Sequence, residues 1–293
     1  MVAPAFDYVA ADSYDEAVRL LADAGDDAKL LAGGQSLMPL LNLRLARPEL
    51  LIDINSVDDR QPSFAEGLLR LPALTRHRVL IDHELVRRHC PLLANAVRHI
   101  GNVRVRNRGT VGGSLAHADP TSEIGSCALV TGAHIVVRGP HAERTVPASE
   151  LFVSYWTTTL AASEIITDVL IPVSRPRQGW SFHEMVRRTS DFAVVAVAAM
   201  VELDERSGMI AGTRVALAGV ADRVRLVGQE LLGGLAGGGG DEASIEAVAG
   251  RIADSVDPPA DVHASGDYRR RLVRVLTARA LSQAYARAAR AAT

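Results

Sequence analysis

The stretch Lys29-Leu30-Leu31-Ala32-Gly33-Gly34-Gln35-Ser36-Leu37 holds a short apolar run that stops at a pair of glycines. A run of that length bounded by Gly-Gly predicts a buried strand ending in a tight turn. Upstream, Ser13-Tyr14-Asp15-Glu16 has the form of a capping box. Ala17, Val18, Leu20 and Leu21 follow at helical spacing, so a helix is expected to about Gly25. Downstream, Pro48 introduces the apolar residues 50–54, which read as a second buried strand. Residues 1 to about 56 therefore form a β-α-β unit, expected as a small lobe.

Further along, 68–71 and 79–81 carry short strand signals, and 86–100 reads as helical with a break at Pro91. The stretch 101–120 is rich in glycine and arginine and shows no helical period. It contains the second diglycine, in Arg108-Gly109-Thr110-Val111-Gly112-Gly113-Ser114. Segments 135–137 and 145–146 predict a strand pair joined by Gly139-Pro140, and 165–171 predicts a strand closed by Pro172. Arg175-Pro176-Arg177-Gln178-Gly179 has linker composition and marks a domain boundary near residue 177. Beyond it, 182–186, 193–203 and 213–220 are three strand candidates, the last two joined by the turn at 204–208. A flexible Gly237–Gly240 loop and two helices complete the chain. The last helix is expected from near Asp267, with Tyr268, Leu272, Val275, Leu276 and Ala280 on one face. Strands followed by helices predict an α+β domain.

Composition narrows the function. The chain has 293 residues, 48% of them hydrophobic and 23% charged, which suits a globular protein with a sizeable core. Its formal net charge of −2 gives no electrostatic reason to bind nucleic acid or an anionic membrane. Lys29 is the sole lysine and lies in no phosphate-binding or Schiff-base motif. Cys90 and Cys127 form no Cys-x-x-Cys pair and cannot supply the thiolates of an iron–sulfur cluster. No metal site is expected. His77, His83, His89 and His99 lack the i, i+4 spacing of paired ligands and are expected as solvated or capping residues. Arg269, Arg270 and Arg271 are expected on a solvated helix face. Met1 to Ala10 has no basic leader character, and the expectation is a cytoplasmic protein.

The two diglycines carry the chemistry. Glycines let a backbone turn with positive φ and approach a ligand closely, and successive amides in such a turn form an anion nest. Ser36, Thr110 and Ser114 add hydroxyls, and Arg104, Arg106 and Arg108 add positive potential. Each pair alone also reads as a plain tight turn. Two such loops could clamp a pyrophosphate. No Gly-x-Gly-x-x-Gly or P-loop motif is present. No nucleophile or acid–base pair stands out, so no catalytic residue is assigned.

The segments LLAGGQSLMPLLNLRLARPELLIDI (30–54), IGNVRVRNRGTVGGSLAHADPTSE (100–123), TTTLAASEIITDVLIP (157–172), FHEMVRRTSDFAVVAVAA (182–199) and DYRRRLVRVLTARAL (267–281) carry a resemblance. In this order the chain resembles the FAD-binding medium subunits of molybdenum hydroxylases, the xanthine dehydrogenase and carbon monoxide dehydrogenase family. The resemblance implies an α+β protein. A two-lobed FAD domain of the vanillyl-alcohol-oxidase (PCMH) type would span 1–177, with lobes at about 1–56 and 57–177. A small α+β domain with a three-stranded antiparallel sheet would span 178–293. It implies that Ala32, Gly33, Gly34, Gln35 and Ser36 wrap the FAD pyrophosphate with Leu37 at the edge. Thr110, Gly112, Gly113 and Ser114 would form the second phosphate loop. Ile100 would line the flavin or adenine site, and Glu123 would bond the cofactor, with Asp119 in the same loop. Ile166 would pack on the adenine side. His183 and Phe192 fall at further cofactor positions.

The activity implied is electron transfer. Electrons would pass from a small 2Fe–2S subunit, fed by a large molybdopterin subunit, through FAD to an acceptor. Departures from the family pattern are Ser154-Tyr155-Trp156, Ser190 and Pro72. They leave open a stand-alone FAD-dependent oxidase or dehydrogenase of the same fold, and a scaffold protein without flavin.

Overall fold

A computed structural model of the chain describes residues 3–290. Met1 and Val2, at the head of the expected leaderless terminus, and 291–293, at the end of the expected second domain, lie outside the described residues.

The first lobe is a parallel three-stranded sheet in the order Asp7–Ala10, Leu50–Asp53, Ala28–Leu31. The helix Tyr14–Ala24 crosses it. Ser13 Oγ accepts from the Glu16 N–H at 3.2 Å. Glu16 accepts in turn from the Asp12 N–H at 2.8 Å, one residue earlier than in the usual reciprocal box. The buried stripe Tyr14, Ala17, Val18 and Leu21 shares a core with Ile52, and with Leu74 and Ile165 of the second lobe.

The second lobe is a five-stranded antiparallel sheet in the order Ser63–Ala65, Leu68–Pro72, Ile165–Pro172, His134–Arg138, Glu143–Pro147. Helices cover it. The expected strand at 79–81 is instead part of the helix His77–Asp82, because its apolar triplet is too short to separate the two periods. The stretch 101–120 holds two short helices, Val103–Arg108 and Val111–His117, which glycine and arginine had disguised as irregular chain. Helix Glu123–Thr131 is buried along almost its whole length. A helix of small residues buried all round shows no amphipathic stripe, so its sequence gave no helical signal.

The C-terminal domain has a four-stranded antiparallel sheet, not a three-stranded one: Gln178–Met185, Val195–Leu203, Ile210–Ala218 and Arg225–Leu226. The fourth strand is two residues long and leaves no periodic trace. Val195–Leu203 is buried on both faces. Ala196, Ala198 and Met200 face the core of the second lobe. Val195, Val197, Ala199 and Val201 face the core under the helices Glu242–Asp254 and Gly266–Arg290. In the long last helix Leu272, Leu276 and Ala280 are buried as expected, but Tyr268 and Val275 are exposed. Arg269 is also contrary to expectation. Successive helical residues diverge by about 100°, so three adjacent arginines cannot share one face. Arg269 is buried, donating to the carbonyls of Gly219 at 2.9 Å and Val194, and to Asp261 at 2.6 Å. No helix among the described residues is long and apolar enough to cross a membrane.

Ala198 is fully buried where the sheet meets the second lobe. Ala198→Leu should overpack that seam and lower stability by about 1–3 kcal/mol, read from urea denaturation. An unchanged midpoint would show that the two parts do not share a core there.

Candidate cofactor site

The first strand to end in a loop sets the site. After Leu31 the chain passes through Ala32 and Gly33 against the other glycine loop. A Cβ on Gly33 would run into the Arg108 carbonyl, with Gly109 Cα only 2.9 Å away. Gly34 turns the chain with φ +72°, a conformation that glycine adopts without a Cβ penalty. The helix Leu37–Asn42 then begins, its first turn closed by Met38 N–H donating to Gly34 O at 3.0 Å. Among the described residues, no acceptor in the chain takes the backbone N–H of Gly33, Gly34, Gln35 or Ser36. Gln35 and Ser36 are exposed, and Ala32, Gly33, Gly34 and Leu37 are half-buried. A run of unpaired amides on an open turn is an anion cradle.

The second loop is built differently from its expected nest. Thr110 caps the helix Val111–His117, its Oγ1 accepting from Gly113 N–H at 3.1 Å. Val111 N–H donates to Thr75 O at 3.1 Å and Gly112 N–H to Ala73 O at 2.8 Å, while Ser114 N–H donates to Thr110 O at 3.0 Å. These amides are spent on the fold, so this loop supplies a wall rather than free donors. Gly113 is exposed on that wall, and a Cβ there would lie 4.0 Å from Ala32 Cβ. The two diglycines thus face each other across the lobes.

Three residues that sequence reading did not assign to the site hold the loops together. Asn55 Nδ2 donates to Ala32 O at 2.8 Å and Leu31 O at 3.2 Å. Its Oδ1 accepts from Arg76 at 2.7 Å, and Arg76 also donates to Arg108 O at 2.5 Å. Asn55 and Arg76 therefore bridge one loop to the other. His77 is the third. It is buried, not solvated, and its Nε2 lies 2.9 Å from Thr110 O and 3.0 Å from Ser114 Oγ. A carbonyl only accepts, so Nε2 carries the proton, and Nδ1 has no partner. No sequence signal marks Arg76 or His77, because their partners lie far along the chain.

The remaining expected residues form a second group. Asp119 Oδ1 accepts from the N–H and Oγ1 of Thr121 at 2.8 and 2.6 Å, which fixes its loop. Glu123 opens the helix Glu123–Thr131, and burial, then the Glu184 and Asp119 charges, push its carboxyl up to about 8. Ile100 is half-buried against the second-lobe core. Next to it, His99 Nδ1 lies 3.3 Å from Glu184 Oε1. Ile166 is buried within the sheet at a bulge, with 5% of its surface accessible. Phe192 is 77% exposed in the loop before Val195–Leu203. His183 is not brought to the glycine loops. It points to the opposite face of its strand from Glu184, into a cavity of about 680 Å³ shared with Arg279, Ser282 and Gln283. Among the described residues, no group of three His, Cys, Asp or Glu could hold a metal ion.

Residues 4–174 match the family model for the FAD binding domain in molybdopterin dehydrogenase. Residues 180–284 match the CO dehydrogenase flavoprotein C-terminal domain. The chain belongs to this flavoprotein family. The 6-hydroxypseudooxynicotine dehydrogenase complex subunit alpha of Paenarthrobacter nicotinovorans is 38% identical, covering 98% of this chain and 97% of that one. The carbon monoxide dehydrogenase medium chain of Hydrogenophaga pseudoflava is 35% identical, covering 99% and 100%. The solved carbon monoxide dehydrogenase from that organism superposes with a TM-score of 0.94 at 34% identity, covering 98% of this chain and 99% of its own. Quinoline 2-oxidoreductase from Pseudomonas putida 86 gives 0.90 at 33%, with coverage of 98% and 99%. FAD, the cofactor of this flavoprotein family, suits the geometry. Its diphosphate matches the four amides at 33–36 that have no acceptor in the chain.

Burial lowers the His77 imidazole from 6.5 to about 4, so the folded chain holds it neutral. The unfolded chain takes up the proton first as pH falls, so this contribution is complete above 6.5 and is lost between 6.5 and 4. From pH 7 to 5 the natural chain should lose about 2 kcal/mol more stability than His77→Gln. Parallel denaturation curves at the two pH values check this, and equal losses would contradict it.

Proposed function

We propose that the chain is the FAD-carrying medium subunit of a molybdenum hydroxylase. Its work is to relay electrons from the iron–sulfur clusters of a small partner subunit to an acceptor. The molybdopterin of a large subunit would oxidise the organic substrate, which this chain would never touch. The assembly expected is a heterotrimer, often doubled, in the cytoplasm. The flavin-binding part would be 1–177, in lobes of about 1–56 and 57–177, and the C-terminal part 178–293.

The observation that carries the reading is the cradle at 33–36, whose amides have no acceptor of their own. Gly33, Gly34, Gln35 and Ser36 would receive the diphosphate, with Ala32 and Leu37 flanking it. Thr110, Gly112, Gly113 and Ser114 would close the opposite side, Ser114 offering a hydroxyl and Gly113 a surface without a side chain. Asn55 and Arg76 hold the two sides at fixed separation, so the donors need no rearrangement when the cofactor arrives. Ile100 and Ile166 would border the rings, and Asp119 and Glu123 would bond sugar or ring polar groups. Phe192 is free to swing onto a ring face, while His183 would act only if its strand, Gln178–Met185, were rearranged. FAD supplies the chemistry, accepting and releasing electrons singly or in pairs. The chain's own contribution is to bind it, orient it and exclude water.

The test is co-expression with the chains encoded beside it. The expected product is a yellow complex that contains molybdenum and iron and bleaches on addition of its substrate. Gly33→Ala should drive the first loop off the Arg108 carbonyl and reduce flavin occupancy at least about tenfold, roughly 1.4 kcal/mol. Molybdenum and iron contents should hold. A colourless complex, or a yellow chain that oxidises substrates alone, would refute the assignment.

A further inference from the structure

The chain crosses from the first lobe to the second through 54–62, and this crossing carries charges that reach both sides. Asp58 accepts from the Arg60 guanidinium as a fork, from Nε at 2.9 Å and Nη2 at 2.7 Å. Asp58 Oδ2 also accepts from the hydroxyl of Tyr14, in the first-lobe helix, at 3.0 Å. From the same place Arg60 reaches the second lobe. Its Nη1 lies 3.1 Å from Asp168 Oδ1, and its Nη2 donates to Asp168 Oδ2 at 3.2 Å and to the Thr167 carbonyl at 3.4 Å. Arg70, on the neighbouring strand Leu68–Pro72, lies 3.4 Å from Asp168 Oδ2. Two arginines thus balance two aspartates, whose side chains are only 4% and 5% exposed. Withdrawing either kind of partner would leave a buried charge without its counterion. Arg138 also meets Asp15 between the lobes at 3.1 Å, but the Asp15 side chain is 83% exposed and water weakens that pair.

The network is wired to both glycine loops. Thr167 lies in the bulge of Ile165–Pro172, and its carbonyl accepts from Ala73 N–H at 3.0 Å as well as from Arg60. The Ala73 carbonyl in turn accepts from Gly112 N–H at 2.8 Å, and a Cβ on Gly112 would lie only 2.6 Å from Ala73 Cβ. On the other side, the helix Tyr14–Ala24 packs on Ala28–Leu31, the strand that ends in the first loop. The Asn55–Arg76 bridge joins the lobes at the loops themselves, and shares no residue with this network. Two bodies joined at one place can rock about it, and a second, independent tie restricts the rocking. We propose that Tyr14, Asp58, Arg60 and Asp168 form an interlobe tie that sets the spacing between the cradle at 33–36 and the wall at Gly112-Gly113. Resting on the flavin reading above, this makes the four positioning residues for the cofactor. Their side-chain hydrogen bonds go to one another and to the Thr167 carbonyl, none to the glycine loops, so they act through the peptide groups between.

The tie is tested with spin labels on the full chain, at Asp23→Cys in the first lobe and Glu150→Cys in the second. Both positions are exposed, and the natural Cys90 and Cys127 are buried. The otherwise natural chain should give one narrow distance distribution. In Arg60→Ala the distribution should broaden, and FAD should leave the assembled complex at least about tenfold faster, because the loops are no longer held at their spacing before it binds. Tyr14→Phe removes one hydrogen bond and keeps the buried ring, so it should move both readings the same way by less. Should Arg60→Ala fail to fold, Asp168→Asn, which keeps the side chain's shape and removes its charge, should broaden the distribution and speed FAD release likewise. A folded variant with a lowered unfolding midpoint and a still narrow distribution would overturn the tie. Broadening with an unchanged rate of FAD release would overturn the positioning role. A natural chain that takes up no FAD, with broadening still seen in the variants, would refute the flavin reading and leave the tie in place.

Discussion

The structure depends on one close approach, the backbone of Gly33 lying against the carbonyl of Arg108. No side chain fits between them. Asn55 takes the carbonyls of Leu31 and Ala32 on one side, and Arg76 takes that of Arg108 on the other. The result is a joint between two lobes made of peptide groups and one amide–guanidinium bridge. Such a joint is rigid because each of its carbonyls is already satisfied. Among the described residues, the amides at 33–36 are left without an acceptor in the chain. Binding capacity is thus what remains after the fold has used its own donors.

The two glycine loops look alike in sequence and differ in this respect. Both follow the pattern of a diglycine beside a hydroxyl residue. The first sits at the end of a parallel strand, where no neighbour offers acceptors to its amides. The second sits at a helix start, where Thr110 and the carbonyls of Ala73 and Thr75 absorb them. Local sequence cannot separate these cases, because Ala73 and Thr75 reach the loop only through tertiary contact. The same limit explains His77, Arg76 and Asn55. By contrast, the helix Tyr14–Ala24, the strands Ala28–Leu31 and Leu50–Asp53, and the two-faced strand Val195–Leu203 were legible. Their signals are periodic and local: a cap with its apolar stripe, or an unbroken apolar run. The helix Glu123–Thr131 was not, since burial on every side erases its period.

The charged and dipolar groups of the candidate site residues are mostly engaged by the fold itself. The 33–36 loop offers amide dipoles, while Arg106 is spent on the carbonyls of Ile100 and Gly101 at 2.8 Å each rather than left as a free cation. The Asp119 and Glu184 charges both act on Glu123.

The C-terminal domain takes part in this arrangement through its strand of small residues. Ala196 and Ala198 present almost no side chain toward the second lobe, so the equally small residues of Glu123–Thr131, among them Gly125, Ser126 and Ala128, can lie close against the sheet. That proximity carries Glu184, one strand over and paired with Ala196, to the head of the helix where Glu123 stands. The C-terminal sheet therefore shares a close-packed core with the second lobe through a row of small residues, without contributing to the glycine loops.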